Sequence, residues 1–70
     1  MSTIEKGAQI LKILLNEHQV AQRMNCSVGT VRRMRLFGKG PRYRKLGGLV
    51  RYDPEDVEAW IKDQPTGGGK

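Results

Sequence analysis

Three arginines within four residues, Arg32, Arg33 and Arg35, dominate the chemistry this sequence offers. A guanidinium is a planar fork of N–H donors that stays charged at any ordinary pH. It meets a phosphate, or the O6/N7 edge of a guanine, with two parallel hydrogen bonds. A second basic group, Arg42, Arg44, Lys45 and Arg51, surrounds the pair Gly47-Gly48. From His18 to Tyr52 the chain has no Asp or Glu, whereas Asp53, Glu55, Asp56, Glu58 and Asp63 crowd the C-terminal stretch. The net charge is +6 on 70 residues, with a pI near 10.0. A merely solvated surface mixes signs; a middle of one sign is the footprint of a face that meets a polyanion.

Other chemistries find little support. His18 is the only histidine, and it falls near a helix start, where a solvent-facing role is the ordinary one. The acids show no pairing suited to acid–base work, and Gly38-x-Gly40 lacks the helix that a phosphate-cradling loop needs behind it. The expectation is a protein that is not an enzyme and takes no cofactor and no small-molecule ligand. Cys26 is the only cysteine, so neither an intrachain disulfide nor a structural zinc site is expected, and it reads as a small buried residue near a turn. With no leader pattern and no apolar run approaching about 18–20 residues, the expected location is the cytoplasm, at the bacterial nucleoid, with no membrane partner.

The elements that must position the basic groups can be placed from local signals. Seventy residues make one domain that buries only about 60% of the surface its unfolded chain exposes, so its core is thin. Residues 1–13 form an N-terminal extension, flexible or weakly helical. Ser2-Thr3-Ile4-Glu5 fits a capping box and Ile10, Leu11 and Leu14 fit helical spacing, yet Ile13-Leu14-Leu15 equally fits a short extended piece under the domain. Leu14 and Leu15 are expected to anchor in the core. Asn16 and Gln19 form a second capping box ahead of a helix at about residues 17–24, whose Val20, Ala21 and Met24 make an apolar stripe. Asn25-Cys26 turns the chain, Ser27 caps a second helix running to about Phe37, and Gly38 stops it. Val31 and Met34 face its core side. Tyr43–Leu46 and Val50–Tyr52 read as a hairpin. A two-residue turn sets Lys45 against Val50. A three-residue turn, Gly47-Gly48-Leu49, sets Leu46 against Val50 and Lys45 against Arg51, and matching like with like favours it. Asp53 caps a last helix with Pro54 at its first position, and Val57, Trp60 and Ile61 face inward, Trp60 as the largest core contributor. Residues 63–70 read as a flexible tail.

Helix, turn, helix, hairpin, helix is a winged helix-turn-helix, mainly α with a small β-hairpin, spanning residues 14–62. Its second helix is sized for the major groove of double-stranded DNA. On that helix Ser27, Val28, Gly29, Thr30, Arg32, Arg33 and Arg35 form the expected DNA-binding set. Arg32 or Arg33 reads a guanine while the others hold phosphates, and Gly29 lets backbone approach a phosphate. Val28 suits either a thymine methyl or helix-start packing. In the wing, Arg42, Arg44, Lys45, Gly47, Gly48 and Arg51 are expected to grip the DNA backbone, with Lys45 and Arg51 projecting from one face. Tyr43 and Tyr52 read as aromatic packing under the hairpin.

The ordered set Asn16-x-x-Gln19-Val20-Ala21, Ser27-x-x-Thr30-Val31-x-Arg33, Gly40-Pro41-x-Tyr43-x-Lys45-Leu46-Gly47, Val50-Arg51-Tyr52 and Asp56-Val57-x-Ala59-Trp60-Ile61 resembles the excisionase-type helix-turn-helix family of the MerR-like winged-helix superfamily. The resemblance covers about residues 15–62. It implies a recombination directionality factor of a phage or other mobile element, which bends DNA and helps a tyrosine or serine integrase assemble for excision. A small transcription regulator of a mobile element is the alternative within that class; a protein-interaction module is the alternative outside it. Val28 and Arg32 depart from the family, which often has a polar or basic residue and an aromatic there, so base preference does not carry over. The basic middle and acidic last helix also suggest cooperative, head-to-tail self-association on DNA, with Glu55 and Glu58 of one copy against Arg42, Arg44 and Leu49 of the next.

Overall fold

The computed structural model describes residues 13–68. Its elements run α1 (Glu17–Met24), α2 (Val28–Leu36), β1 (Arg44–Leu46), β2 (Leu49–Arg51) and α3 (Pro54–Lys62). This is the expected winged helix-turn-helix, with three helices and one two-stranded antiparallel hairpin among the described residues. Most of the N-terminal extension, with its capping box and Ile10 and Leu11, lies outside the described residues. Residues 63–68 continue as exposed turn and coil.

Each helix begins where its sequence signal stands. Asn16 Oδ1 accepts the Gln19 N–H and Gln19 Oε1 accepts the Asn16 N–H, both at 2.8 Å, so two otherwise orphaned donors are satisfied reciprocally. Asn25 turns left-handed at φ 56° and ψ 49°, and its N–H returns to Ala21 and Gln22. The Ser27 hydroxyl accepts the Thr30 N–H at 3.1 Å. The Asp53 carboxylate accepts the Glu55 N–H at 2.8 Å, with Pro54 opening α3. Gly38 ends α2 with φ +70°.

The core is one cluster drawn from every layer: Val20 and Ala21 of α1, Val31 of α2, Tyr52 after the hairpin and Val57 of α3. Leu15, Met24, Cys26, Val28, Val50 and Ile61 pack around it, partly buried. Trp60 does not lead this core. It is half-buried, and the largest fully buried side chain is Tyr52, 1% exposed. Val57 occupies the centre of the inner stripe of α3, which leaves Trp60 at the stripe's edge. There it lines a trench with Gly40, Arg42 and Asp56. Of residues 13–15, Leu15 is extended, forms an isolated antiparallel bridge with Tyr52 and packs against the core, whereas Ile13 is 77% exposed and does not lie under the domain.

The hairpin register departs from the preferred sequence reading. Arg44 faces Arg51, Lys45 faces Val50 and Leu46 faces Leu49 across a two-residue Gly47-Gly48 turn. Gly47 has φ +64°. Glycine with positive φ at the first central position is the feature of a type II′ turn, whose twist suits the flanking strands. That local preference wins over a longer loop, and like still pairs with like through Leu46 and Leu49. Lys45 and Arg51 therefore project from opposite faces, because facing residues share a face and neighbours alternate. Arg44, Leu46, Leu49 and Arg51 form the outer face of the wing; Lys45 lies on the side of Val50.

Candidate nucleic-acid interface

The second helix of the helix-turn-helix presents a mixed outer face. Val31 is buried and Val28 packs against the core, so Val28 takes the packing role left open for it. Met34 and Arg35 are half-buried. Gly29, Arg32, Arg33, Leu36 and Phe37 are exposed on the other side. Leu36 is 76% exposed and Phe37 69%, two large apolar groups at the end of α2. Ser27 and Thr30 are occupied with each other, their hydroxyls 2.9 Å apart. Nothing but the Ser27 hydroxyl, at 3.8 Å, comes within 4 Å of the space where a side chain on Gly29 would begin.

The arginines of α2 part company. Arg32 donates from Nε at 2.8 Å and from Nη2 at 2.6 Å to Oε2 of Glu17, in the first turn of α1. Arg35 donates from Nη1 to Oε1 of the same carboxylate at 3.1 Å. It is further confined by the Tyr43 ring, whose centroid lies 5.9 Å from its guanidinium carbon. Tyr43 in turn leans on Tyr52, ring centroids 6.1 Å apart and planes tilted by 51°. Arg35 is thus turned between the helices and the hairpin, where the neighbouring Tyr52 side chain, then Glu17, raises its pKa further. Arg33 is exposed and has no acidic partner among the described residues. Of the three arginines read as one group, it alone keeps its charge uncommitted.

Glu17 is the residue that sequence reasoning missed. The Arg32 bonds pull its carboxyl down from the ordinary 4.5 to about 2, with Arg35 adding to the effect against some loss of hydration. No local signal marks it, because it reaches Arg32 across fifteen positions of sequence. A second cross-brace was also unforeseen: Arg23 of α1 grips Glu58 of α3 with Nε and Nη2, the latter at 2.6 Å.

In the wing, Arg42, Arg44 and Lys45 are exposed and have no acidic partner among the described residues. Arg51 is half-buried and donates to the Val50 carbonyl at 2.7 Å. Arg44 and Arg51 stand directly opposite on the outer face. Two like charges in facing positions of an antiparallel pair are destabilising, so the pair is relieved when an anion settles against it. The turn glycines Gly47 and Gly48 have open space around them. A shallow cleft lined by Glu17, His18, Arg35, Leu49 and Arg51 separates α1 from the wing.

Among the described residues no helix is long and apolar enough to cross a membrane, and no group of His, Cys, Asp and Glu is placed to hold a metal ion. A comparison with curated proteins gives no match. The profile of a helix-turn-helix domain matches residues 14–65, which takes in every element from α1 to α3. The chain belongs to this helix-turn-helix domain family, whose architecture makes DNA its partner.

Proposed function

We propose that this chain is a sequence-specific, architectural DNA-binding protein, an excisionase that assists a tyrosine or serine integrase of a phage or other mobile element. The observation that carries the reading is the pair Arg44 and Arg51, opposed on one face of the wing with no acid paired to either among the described residues. A folded domain keeps such a pair where an anion is its customary neighbour. Arg33 on α2 supplies the fork that reads a base edge, while the wing arginines hold backbone phosphates. The helix-turn-helix family includes excisionase-like proteins, in line with the resemblance in the ordered motifs.

The reading is tested by footprinting on attachment-site DNA, together with integrase-dependent excision in the presence and absence of the chain. Protection within the attachment site and a rise in excision are expected. Protection confined to a promoter, with excision unchanged, would identify a transcription regulator instead. With about 4–7 phosphate contacts, log K against log salt has an expected slope of roughly −4 to −6. A flat salt response would point to a protein-interaction module.

Copies on tandem sites are proposed to touch head to tail, an open arrangement that builds a row along DNA. Glu58 is engaged by Arg23 within its own chain, so it contributes little to such a contact. Titration onto DNA carrying one, two and three sites measures this: cooperative filling supports a row, and independent filling rules it out.

A further inference from the structure

The acid at the start of α1 occupies an unexpected place. In helix-turn-helix docking the second helix enters the major groove and the first crosses the DNA backbone. The first turn of that helix, with its unpaired N–H groups and positive dipole end, is where a phosphate would sit. Here the position carries Glu17, and both of its oxygens are taken up by arginines of the second helix. The side chain of Arg32 is nonetheless 48% exposed, on the flank of the outer face, while those of Glu17 and Arg35 are 20% and 19% exposed. Arg35 is confined by Tyr43 and the hairpin; Arg32 is held by Glu17 alone among the described residues.

Resting on the DNA-binding reading, we infer that Glu17 is a built-in stand-in for phosphate that restrains Arg32 and so holds down the affinity of the domain for DNA of any sequence. A guanidinium bound by a carboxylate through Nε and Nη2 keeps only its end-on pair, on Nη1 and the far side of Nη2, for another acceptor, and the carboxylate beside it offsets much of its charge. A phosphate seeking Arg32 must either displace a preorganised carboxylate or take the end-on pair alone, close to a negative charge. Electrostatic affinity is blind to sequence and comes from phosphate neutralisation. Removing one such contact lowers binding to every sequence. Base reading by Arg33 is left intact, and because the withheld contact is missing from specific and random complexes alike, Glu17 lowers overall affinity without changing the ratio between them.

The test uses the full chain and two labelled duplexes, one carrying the footprinted site and one of scrambled sequence. Glu17→Gln keeps the side chain's shape and removes its charge. It is expected to bind scrambled DNA about 3- to 10-fold more tightly, with a salt slope steeper by about 1, the increment of one more neutralised phosphate. Binding to the footprinted duplex tightens by a similar factor, so the ratio of the two affinities stays nearly unchanged. In the double variant E17Q/R32Q the gain disappears, which assigns it to the released Arg32 and not to general loss of negative charge. Far-UV dichroism and melting confirm that the variants compared are folded; if Glu17→Gln unfolds, Glu17→Ser, which keeps a small polar group behind the Asn16 cap, takes its place. Scrambled-DNA affinity and slope unchanged in the folded variant would overturn the inference, as would a gain that persists in the double variant. A wild-type chain that binds neither duplex would instead bring down the DNA-binding reading itself.

Discussion

Leu15 and Tyr52 exchange both of their backbone hydrogen bonds, each at 2.8 Å, and so tie the entry into the first helix to the exit from the wing. The bridge fixes Tyr52 beneath the helix-turn-helix, where it touches the core on one side and Tyr43 on the other. Through Tyr43 and Arg35 the same residue connects to Glu17. The angle between wing and recognition helix therefore depends on one buried ring. That angle decides whether Arg33 and the Arg44–Arg51 pair meet one duplex together.

Tyr52→Ala is expected to destabilise the domain by about 3–5 kcal/mol, the usual cost of removing a large buried aromatic, and so to unfold a core this small. Tyr52→Phe keeps the ring and gives up only the polar contact toward Arg35, with an expected cost of about 1 kcal/mol. Urea melts measure both. Trp60→Ala, at the half-buried edge of α3, is expected to cost less than Tyr52→Ala. The reverse order would place the centre of the core at α3.

Acid should act on the fold through Glu17. Its carboxyl pKa is lowered from 4.5 to about 2, first by the Arg32 bonds. A pKa that is lower in the folded state marks stability that is present above the unfolded value and lost as pH falls through the folded one. The Glu17 contribution is therefore constant from neutral pH down to about 4.5 and drains away toward about pH 2. Urea melts of the wild type and Glu17→Gln are expected to differ at pH 5 and to converge as pH approaches 2. A difference that stays constant over this range would show that Glu17 acts through packing or capping and not through its charge.

Arg33→Ala is expected to cost about 1–3 kcal/mol on the specific site and to relax preference at one base position. The expectation rests on Arg33 being exposed and without an acidic partner among the described residues. Competition between the footprinted duplex and scrambled duplexes measures it. Equal loss on both would assign Arg33 to a phosphate.

Short-range physics decides the part of this fold that was legible in the sequence. The Asn16–Gln19 box, the Ser27 cap and the Asp53-Pro54 start each act within three positions, and all stand where the sequence places them. The basic middle was legible as composition. Its division was not, because the Glu17–Arg32 contact spans fifteen positions and exists only once two helices have crossed. Gly47-Gly48 permits two turn lengths, and side-chain matching gave the longer one undue weight over the twist of a two-residue turn. Trp60 was overrated since size sets how much a residue can bury, not how close its position lies to the centre of the stripe. Tyr52 is central because a backbone bridge from Leu15 draws it there, and nothing local announces that pairing.

The observed register changes what the wing should do. Arg44 and Arg51 share the outer face, and Lys45 lies on the other. If the outer face meets the backbone, Arg44→Ala and Arg51→Ala each weaken specific and scrambled DNA alike, and each makes the salt slope shallower by about 1. Lys45→Ala should do less on both counts. Stability offers an independent check, because removing either arginine also ends the repulsion between facing like charges. Arg44→Ala, whose side chain is exposed, should leave melting unchanged or slightly raised while binding falls. Arg51 also donates to the Val50 carbonyl, so its replacement gives up some of that gain. A Lys45→Ala loss larger than either arginine loss would mean that the hairpin presents its other face to the duplex. The row of Arg44, Leu46, Leu49 and Arg51 would then be free for a neighbouring copy.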